Sequence, residues 1–297
     1  MWKLLNNMGV VDANYGGKVK MIGRKIMQLG FKLLEGRGIG KIPWVDKFFH
    51  LVSSLTGEIE YELEGLRFRS LMYYYPKRHL LYYGRSYEPD VRLLFCSLIR
   101  KGDVVVDVGA SLGVYSLLAA KTVGNDGFVY AFEPDPIRYS KLVENIRINN
   151  LRNIKAFDAA LSDKEEKIEI LYHHPKEGFK SRVVNAIPLD NLRIKPNVVK
   201  INVDGAEIKV LKGMWKTISN YKPKIICEVH PDEILQMGND IVELNILLRN
   251  LGYVIYKIKT NRSLSPCRTF EKEHGRYVFI HRDEAKDLKI EGWRIDL

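Results

Sequence analysis

Short apolar runs alternate with amphipathic segments along residues 103–281. Runs such as 104–109 and 198–203 are almost wholly apolar, which is typical of strands buried on both faces. The predicted strands are 104–109, 128–133, 154–161, 167–173, 198–203, 224–229, 253–259 and 276–281, and the predicted helices are 114–123, 137–150, 206–218 and 240–252. Strands and helices that alternate at this spacing predict an α/β fold with a mostly parallel sheet covered on both faces. No helix separates the last two strands, so one of them is expected to run antiparallel.

The N-terminal part, residues 1–87, is predicted to be an α+β accessory segment to a main domain at 88–297. Within 18–36, apolar residues recur at three- and four-residue steps with Lys and Arg off that stripe, which predicts a basic amphipathic helix. Such a helix packs on the protein body or on a second subunit, or makes peripheral contact with a membrane. Alternation within 58–74 predicts a β-hairpin. Tyrosines among cations in 72–87 are typical either of a packed strand or of a surface that stacks on sugars.

The composition indicates a globular protein whose charge is uneven. Apolar residues make up 46% and charged residues 28% of the 297 residues, and the net charge is +11. Residues 1–102 carry 17 basic and 9 acidic residues, so most of the excess lies there. The surplus favours an anionic partner (lipid, nucleic acid or phosphorylated substrate) or serves solubility alone. Three cysteines without a CxxC pair, and no apolar run of ~18 residues, predict a cytoplasmic protein without disulfides or a membrane span.

The strongest local signal is the segment VDVGASLGVYS at 106–116, where a buried strand leads into a glycine loop and a helix. Gly109 and Gly113 let the backbone approach a ligand, and a helix N-terminus offers unpaired N–H groups. Glu133 ends the next predicted strand, where the carboxyl ends of neighbouring strands form a ligand crevice. A carboxylate there can accept both ribose hydroxyls, so the pattern favours an adenosine-containing ligand. S-adenosylmethionine fits best, with its methionyl carboxylate at the loop N–H groups and its ribose at Glu133.

Other ligands and activities match the loop less well. The dinucleotide pattern G-x-G-x-x-G lacks its middle glycine here, and the phosphate-binding G-x-x-x-x-G-K-[ST] is absent. GASLG formally matches the G-x-S-x-G nucleophile elbow of hydrolases, and His230, His274 and His281 follow it. No oxyanion loop of the HGGG type precedes the elbow, but the hydrolase alternative stays open at this point.

An ordered set of segments resembles the FkbM-type family of S-adenosylmethionine-dependent methyltransferases. The matching segments, which together span roughly residues 88–260, are VVVDVGASLGVYSLLAA, GFVYAFEPDP, KLVENIRINNL, FDAALSD, PLDNL, KINVDGAEIKVLKGM, PKIICEVHP and LRNLGY. The resemblance implies the class I methyltransferase (Rossmann-like) fold, a seven-stranded sheet whose last strand is inserted antiparallel. It also implies methylation of a hydroxyl oxygen, commonly on sugars, glycolipids or natural products.

The resemblance also assigns cofactor-binding positions. The methionine part of S-adenosylmethionine would face Asp107, Gly109, Ser111 and Gly113, while the ribose would bind Glu133 and the adenine would lie between Asp158 and Ala159. Two departures concern the family's KIDVEGAE pattern, which reads KINVDGAE here. Asn202 replaces an aspartate and Asp204 replaces a glutamate. A lost base or metal ligand at the first position would lower activity or change the substrate.

Candidate catalytic groups follow two predicted strands. An alcohol must lose a proton during attack, and a general base contributes roughly 10²–10⁴-fold. Asp204, beyond strand 198–203, and Glu228 and His230, at the end of strand 224–229, are the candidates, with Asp204 or His230 preferred as the base. Oxygen ligands with one histidine also suit a divalent ion, but the sequence assigns no metal ligand. Glu207 is expected to cap its helix.

The predicted function is therefore methylation of a glycan, glycolipid or small-molecule acceptor. Residues 173–182 are expected to form a loop over the active site. An RNA methyltransferase is the alternative that the charge favours, although the chain lacks an appended RNA-binding motif. A non-catalytic scaffold that keeps the cofactor fold is the alternative that Asn202 favours. The pattern does not predict an oligomeric state.

Overall fold

The computed structural model describes residues 58–71, 87–174 and 177–296. The strands are β1 Glu58–Leu63, β2 Leu66–Leu71, β3 Val104–Val108, β4 Phe128–Phe132, β5 Ile154–Phe157, β6 Ala160–Leu161, β7 Glu166–His174, β8 Gly178–Ile187, β9 Val198–Ile201, β10 Lys224–Val229, β11 Tyr253–Lys259, β12 Ser263–Cys267, β13 Gly275–His281 and β14 Arg294–Ile295. The helices are α1 Pro89–Leu98, α2 Val114–Val123, α3 Pro136–Ile148, α4 Glu207–Gly213, α5 Trp215–Tyr221, α6 Pro231–Gln236, α7 Ile241–Asn250 and α8 Arg282–Ala285, with a 3₁₀ turn at Leu189–Leu192.

The chain divides into two compact units. One comprises residues 1–88 with 173–178, and the other comprises residues 89–172 with 179–297. The predicted boundary after residue 87 stays a prediction. Among the helices that the structure describes, none combines the length and apolarity needed to cross a bilayer.

In the first unit, β1 and β2 form the antiparallel hairpin that alternation predicts. Glu64 and Gly65 have φ angles of 51° and 74°, as a two-residue turn with both central residues left-handed requires. The predicted basic helix at 18–36 and almost all of the tyrosine-rich stretch at 72–87 lie outside the described residues.

A nine-stranded sheet organises the second unit, in the order β14-β12-β11-β13-β10-β9-β3-β4-β5. The five strands from β10 to β5 pair in parallel, and β13 lies antiparallel between β10 and β11. This confirms the class I α/β order and the antiparallel strand among the last two. The count of seven was too low, because β12 and β14 extend the sheet beyond β11.

The central strands are almost completely buried because their residues are apolar on both faces. Val105, Val106, Val199, Ile201 and Ile225 are each 0% exposed, as expected for a sheet covered by helices. Local signals begin those helices. Asp135 caps α3 by accepting the amide N–H groups of the first turn at 2.8 and 3.2 Å.

Several predicted elements have different bounds. The strand predicted at 154–161 ends at Phe157, and its last two residues form β6 in a separate sheet with the order β6-β8-β7. Strands β7 and β8 cover most of the loop predicted at 173–182. The helix predicted at 206–218 is two helices, α4 and α5, with Met214 between them. Gly213 at the end of α4 lies so close to the Ser162 carbonyl oxygen that a Cβ would be 1.8 Å from it. Local periodicity does not report such tertiary contacts.

Candidate active site at the carboxyl ends of the strands

The glycine loop, residues 109–113, connects β3 to α2 at the carboxyl edge of the sheet. A Cβ at Gly109 would lie 1.9 Å from the Asn202 carbonyl oxygen, and φ is +78°. At Gly113, φ is +90° and a Cβ would lie 2.6 Å from Leu142 Cδ1. Glycine is therefore required at both positions by close packing as well as by backbone conformation.

Glu133 lies directly against the glycine loop. Its Oε2 accepts the Ser111 amide at 2.7 Å, and its Oε1 accepts the Asp135 amide at 2.9 Å. Burial raises the pKa of Glu133 to about 7, although the positive charge of Arg138 and these amides oppose that rise. The structure thus brings together the two features that the sequence linked, and the carboxylate faces the loop.

The loop amides already donate hydrogen bonds within the chain. The amides of Gly109 and Ala110 both donate to the Phe132 carbonyl at 3.0 Å, and the Gly113 amide donates to the Ala110 carbonyl at 2.8 Å. Contact of these groups with a methionyl carboxylate stays a prediction. Asp107 lies beneath the loop, where Ser116 Oγ donates to it at 2.5 Å. Burial raises the pKa of Asp107, opposed by the Ser116 hydrogen bond and by the charge of Lys200.

Asp158 forms an ion pair that the sequence did not indicate. Both Asp158 oxygens accept from the Arg182 guanidinium on β8, at 2.8 and 3.1 Å. Both side chains are about one-third exposed, and Ala159 beside them is buried. The predicted contacts of Asp158 and Ala159 with adenine stay predictions, and Arg182 would share Asp158 with that ring.

A buried lysine on β9 is the most prominent residue that the sequence analysis missed. Lys200 is 2% exposed and is in register with Asp107 on β3. Its ammonium donates to the Ile201 carbonyl at 3.2 Å and lies 5.1 Å from the centre of the Tyr115 ring. A lysine inside the apolar run VVKINV was the available signal, because a fully buried Lys is rare without a partner.

A second group of polar side chains, here called the histidine cluster, lies where β9 and β10 end and the antiparallel β13 begins. Its members are Asn202, Asp204, Glu207, Glu228, His230, His274 and Arg276. Glu228 is central: its Oε2 accepts from Asn202 Nδ2 at 2.6 Å, and its Oε1 lies 2.7 Å from His274 Nε2 and 3.3 Å from Arg276 Nε. Burial would raise the pKa of Glu228, but the positive charges of Lys200 and Arg276, followed by the two histidines, lower it below its ordinary value.

His230 is fixed by a carboxylate on one ring nitrogen. Its Nδ1 lies 2.7 Å from Oε1 of Glu207, which is 0% exposed, and its Nε2 lies 3.5 Å from Oδ1 of the exposed Asp204. Burial would lower the pKa of His230, but the hydrogen bond and charge of Glu207, with the charges of Asp204 and Glu228, raise it above its ordinary value. Glu207 accepts the Gly205 amide at 3.3 Å as well. It lies in the first turn of α4, where its charge complements the helix dipole, but the N-cap residue is Ala206 and no side chain caps this helix by a hydrogen bond.

The structure therefore brings the three predicted catalytic residues, Asp204, Glu228 and His230, into one cluster. It adds His274 and Arg276, which the sequence analysis did not connect with them. Glu228 and Arg276 are 48 residues apart in the chain and meet only because β13 pairs antiparallel with β10.

Comparison with known protein families identifies the family of this chain. The model described as the methyltransferase FkbM domain matches residues 107–255, which is half of the chain and includes the glycine loop, Glu133 and most of the histidine cluster. The chain belongs to the FkbM methyltransferase family. It is therefore an S-adenosylmethionine-dependent methyltransferase with the class I fold.

The chain is also similar to individual proteins. The chain is 30% identical over 186 residues to the hexuronic acid methyltransferase AglP of Haloferax volcanii, covering 57% of this chain and 76% of that protein. It is 32% identical over 97 residues to a tRNA(Phe) (4-demethylwyosine(37)-C(7)) aminocarboxypropyltransferase of Methanocaldococcus jannaschii, covering 31% of this chain and 38% of that protein. A crystal structure of the FkbM methyltransferase of Methylobacillus flagellatus aligns with 18% identity and a TM-score of 0.44, over 69% of this chain and 53% of that one.

The residues around the glycine loop fit the adenosyl cofactor. At Gly109 and Gly113 no side chain stands between the loop backbone and its surroundings. Each oxygen of Glu133 accepts one amide in this structure, and a carboxylate oxygen has a second lone pair for a ribose hydroxyl. The cofactor therefore does not require Glu133 to release the loop.

Proposed function

We propose that this chain transfers the methyl group of S-adenosylmethionine to a hydroxyl group of a sugar-like acceptor, such as a glycan or glycolipid. The observation that carries the proposal is the histidine cluster, in which Glu207 holds His230 so that Nε2 faces Asp204. A buried carboxylate that orients a histidine is the usual arrangement for a group that moves protons. The Haloferax relative is a hexuronic acid methyltransferase, which supports a sugar acid as acceptor.

On the cofactor side, Glu133 would hold the ribose, and Asp158 and Ala159 would contact the adenine. The cofactor supplies a methyl group on a positively charged sulfur, and the methyl–sulfur bond breaks with its electron pair on sulfur as the acceptor oxygen binds the carbon. Positioning of the two reactants contributes on the order of 7–11 kcal/mol in favourable cases. The proton of the acceptor hydroxyl would leave through Asp204 and His230.

A carboxylate is a second candidate acceptor, because a hexuronic acid carries both hydroxyl and carboxylate oxygens. A cation of the histidine cluster favours it: the side chain of Arg276 is 41% exposed, and a guanidinium can pair with an anionic sugar. Methylation of a carboxylate gives an ester that mild alkali removes, whereas methylation of a hydroxyl gives an ether that survives. Alkali treatment of the isolated product separates the two candidates.

The test is a methyl-transfer assay with hexoses, hexuronic acids, glycolipids and RNA as acceptors. We expect methyl transfer to a sugar-containing acceptor and not to RNA. His230→Gln and Asp204→Asn should each lower turnover by roughly 10²–10⁴-fold with unchanged cofactor affinity, while the exposed Asp232→Asn serves as control. Methylation of RNA alone would refute the proposal, and cofactor binding without any methylated acceptor would favour the scaffold alternative.

Peripheral membrane contact through residues 18–36 remains part of the proposal for a lipid-linked acceptor. We expect the full chain to float with vesicles that contain anionic lipid. Reversing the charge at Lys18, Lys20, Arg24 and Lys25 should abolish flotation. Equal flotation of both proteins would remove the membrane contact.

A further inference from the structure

We propose that Glu228, His230 and His274 bind a divalent first-row transition-metal ion such as Zn²⁺. We further propose that this ion holds the acceptor oxygen. The second part rests on the proposed function, whereas the metal site itself does not.

The three side chains converge although they come from different parts of the chain. One ligand atom from each, a carboxylate oxygen and two imidazole nitrogens, lies within 4.8 Å of the others. Bonds of about 2.0–2.1 Å to one tetrahedral ion would place such atoms roughly 3.4 Å apart. The 2.7 Å contact between Glu228 Oε1 and His274 Nε2 would therefore have to widen, and any separation longer than about 3.4 Å would have to shorten. The half-exposed side chain of His274 has room to move.

The partner of His230 is the observation that points most strongly to a metal. Histidines that bind metals usually donate their other ring N–H to a carboxylate, which fixes the tautomer and the direction of the free nitrogen. His230 Nδ1 has this partner in Glu207 at 2.7 Å, and Glu207 is 0% exposed. Nε2 is thereby left as the nitrogen that faces the cluster.

The types of ligand also fit a metal ion, which would have to share Oε1 of Glu228 with Arg276, 3.3 Å away. Asn202 holds Oε2 of Glu228 at 2.6 Å, while Oε1 faces His274 Nε2 at 2.7 Å. A metal ion would replace the proton between these two atoms, as expected when metal binding releases protons from its ligands. Two imidazoles with one carboxylate favour Zn²⁺, Fe²⁺, Co²⁺ or Ni²⁺ over Mg²⁺ or Ca²⁺, which prefer oxygen ligands alone.

Three protein ligands leave a coordination position for the acceptor. A hydroxyl that binds there has a lowered pKa, so its proton can pass to the exposed carboxylate of Asp204, 3.5 Å from His230 Nε2. The oxygen then bonds to the methyl carbon while the carbon–sulfur bond breaks and its electron pair stays on sulfur. With the ion bound, His230 would be a metal ligand in place of the proton carrier assigned to it above, and Asp204 alone would accept the proton.

The test is titration of the metal-free full chain with Co²⁺, followed by visible absorption and calorimetry. We expect one equivalent to bind at the cluster and to give the absorption of Co²⁺ with nitrogen ligands. His274→Ala and Glu228→Gln should each weaken binding by more than about 100-fold, and Glu207→Gln by about 10–100-fold. His281→Gln is the matched control, because His281 also has a carboxylate at Nδ1, from Asp283 at 3.2 Å, but lies outside the cluster.

The outcomes separate the metal site from the proposed function. Unchanged Co²⁺ affinity in His274→Ala, or no such absorption in the unaltered chain, overturns the site. Co²⁺ binding at the cluster without methyl transfer to any sugar supports the site and refutes the proposed function. Methyl transfer that persists at full rate after complete removal of metal refutes the role of the ion and leaves the proposed function standing.

Discussion

The glycine loop with Glu133 and the histidine cluster lie at the same edge of one sheet, but they are built differently. Backbone groups and close packing hold the glycine loop. The Asn202 carbonyl oxygen lies where a Cβ of residue 109 would be, and Glu133 accepts hydrogen bonds from the Ser111 and Asp135 amides. Side-chain charges hold the histidine cluster, where Glu228 meets His274, Arg276 and Asn202. The difference teaches that backbone fit holds the glycine loop whereas charged side chains hold the histidine cluster, so steric substitutions test the first and charge substitutions test the second.

The largest expected effect is steric and concerns Gly109→Ala. The new Cβ would meet the Asn202 carbonyl oxygen at 1.9 Å and would hold a left-handed φ of +78°. The free energy of unfolding should fall by roughly 3 kcal/mol or more, measured by urea denaturation. Gly102→Ala is the control, because Gly102 is left-handed too (φ +85°) but has nothing within 4 Å of the new Cβ, and it should lose only about 1 kcal/mol. Equal losses would show that packing at Gly109 is unimportant.

The next effect concerns Glu133→Gln, which keeps the size of the side chain and removes its charge. S-adenosylmethionine affinity should fall by about 10–100-fold, because hydrogen bonds to charged groups contribute more than those to neutral ones. Isothermal titration calorimetry measures the change. Glu144→Gln is the control, because Glu144 lies in α3 and pairs with Lys141 of the same helix. Unchanged affinity in Glu133→Gln would contradict the ribose assignment.

The pH dependence of cofactor affinity sharpens the same point. Burial raises the pKa of Glu133 to about 7, so the carboxylate that accepts ribose hydroxyls predominates only above that pH. Affinity should therefore fall by up to about tenfold as the pH is lowered from 8 to 6. Titrations at several pH values should show this slope in the unaltered chain and a flatter one in Glu133→Gln. Parallel slopes would place the titrating group elsewhere.

Asn202→Asp tests the histidine cluster by charge alone. It restores the residue that the FkbM resemblance leads one to expect, but it places a second carboxylate where Asn202 Nδ2 now donates to Glu228 at 2.6 Å. Repulsion between the two should lower the free energy of unfolding by about 1 kcal/mol at neutral pH. Thermal denaturation measures it, with Asn239→Asp as control, because Asn239 is only partly buried and its amide hydrogen-bonds the nearby Met237 carbonyl. No loss would mean that Lys200 and Arg276 fully compensate the added charge.

The smallest effect concerns Arg182→Ala. The Asp158–Arg182 pair is about one-third exposed, so its loss should cost less than about 1 kcal/mol of stability. If Asp158 binds the adenine amino group, its release from Arg182 should raise cofactor affinity by up to about fivefold. Calorimetry with Lys180→Ala as the neighbouring control measures this. A clear loss of affinity would instead make Arg182 a cofactor contact.

Much of the fold followed from local pattern. Apolar runs located β3, β4, β9 and β10 to within two residues, because strands buried on both faces leave an unmistakable composition. β12 was missed because SLSPC is short, largely polar and contains Pro266. The break between α4 and α5 was missed because buried apolar residues continue across it at three- and four-residue steps: Leu211, Met214 and Ile218.

In the candidate site, too, some residues could be predicted from local sequence and others could not. Gly109 and Glu133 were predictable because each follows the end of a readable strand, and neighbouring parallel strands bring their ends together. Gly113 was predictable because it directly precedes a readable helix. Lys200 gave a signal, but its meaning depends on its register with Asp107. His274 and Arg276 gave none, since their position beside Glu228 depends on the antiparallel insertion of β13.

By itself, the sequence determined the order of strands and helices, the glycine loop and the acid that follows it, because neighbouring residues encode local conformation and burial. Only the tertiary structure decided which charged side chains meet: Glu207 with His230, Glu228 with His274, and Asp158 with Arg182. The physical reason is that an ion pair requires its two atoms to lie a few ångströms apart, and strand register, rather than distance along the chain, sets that separation.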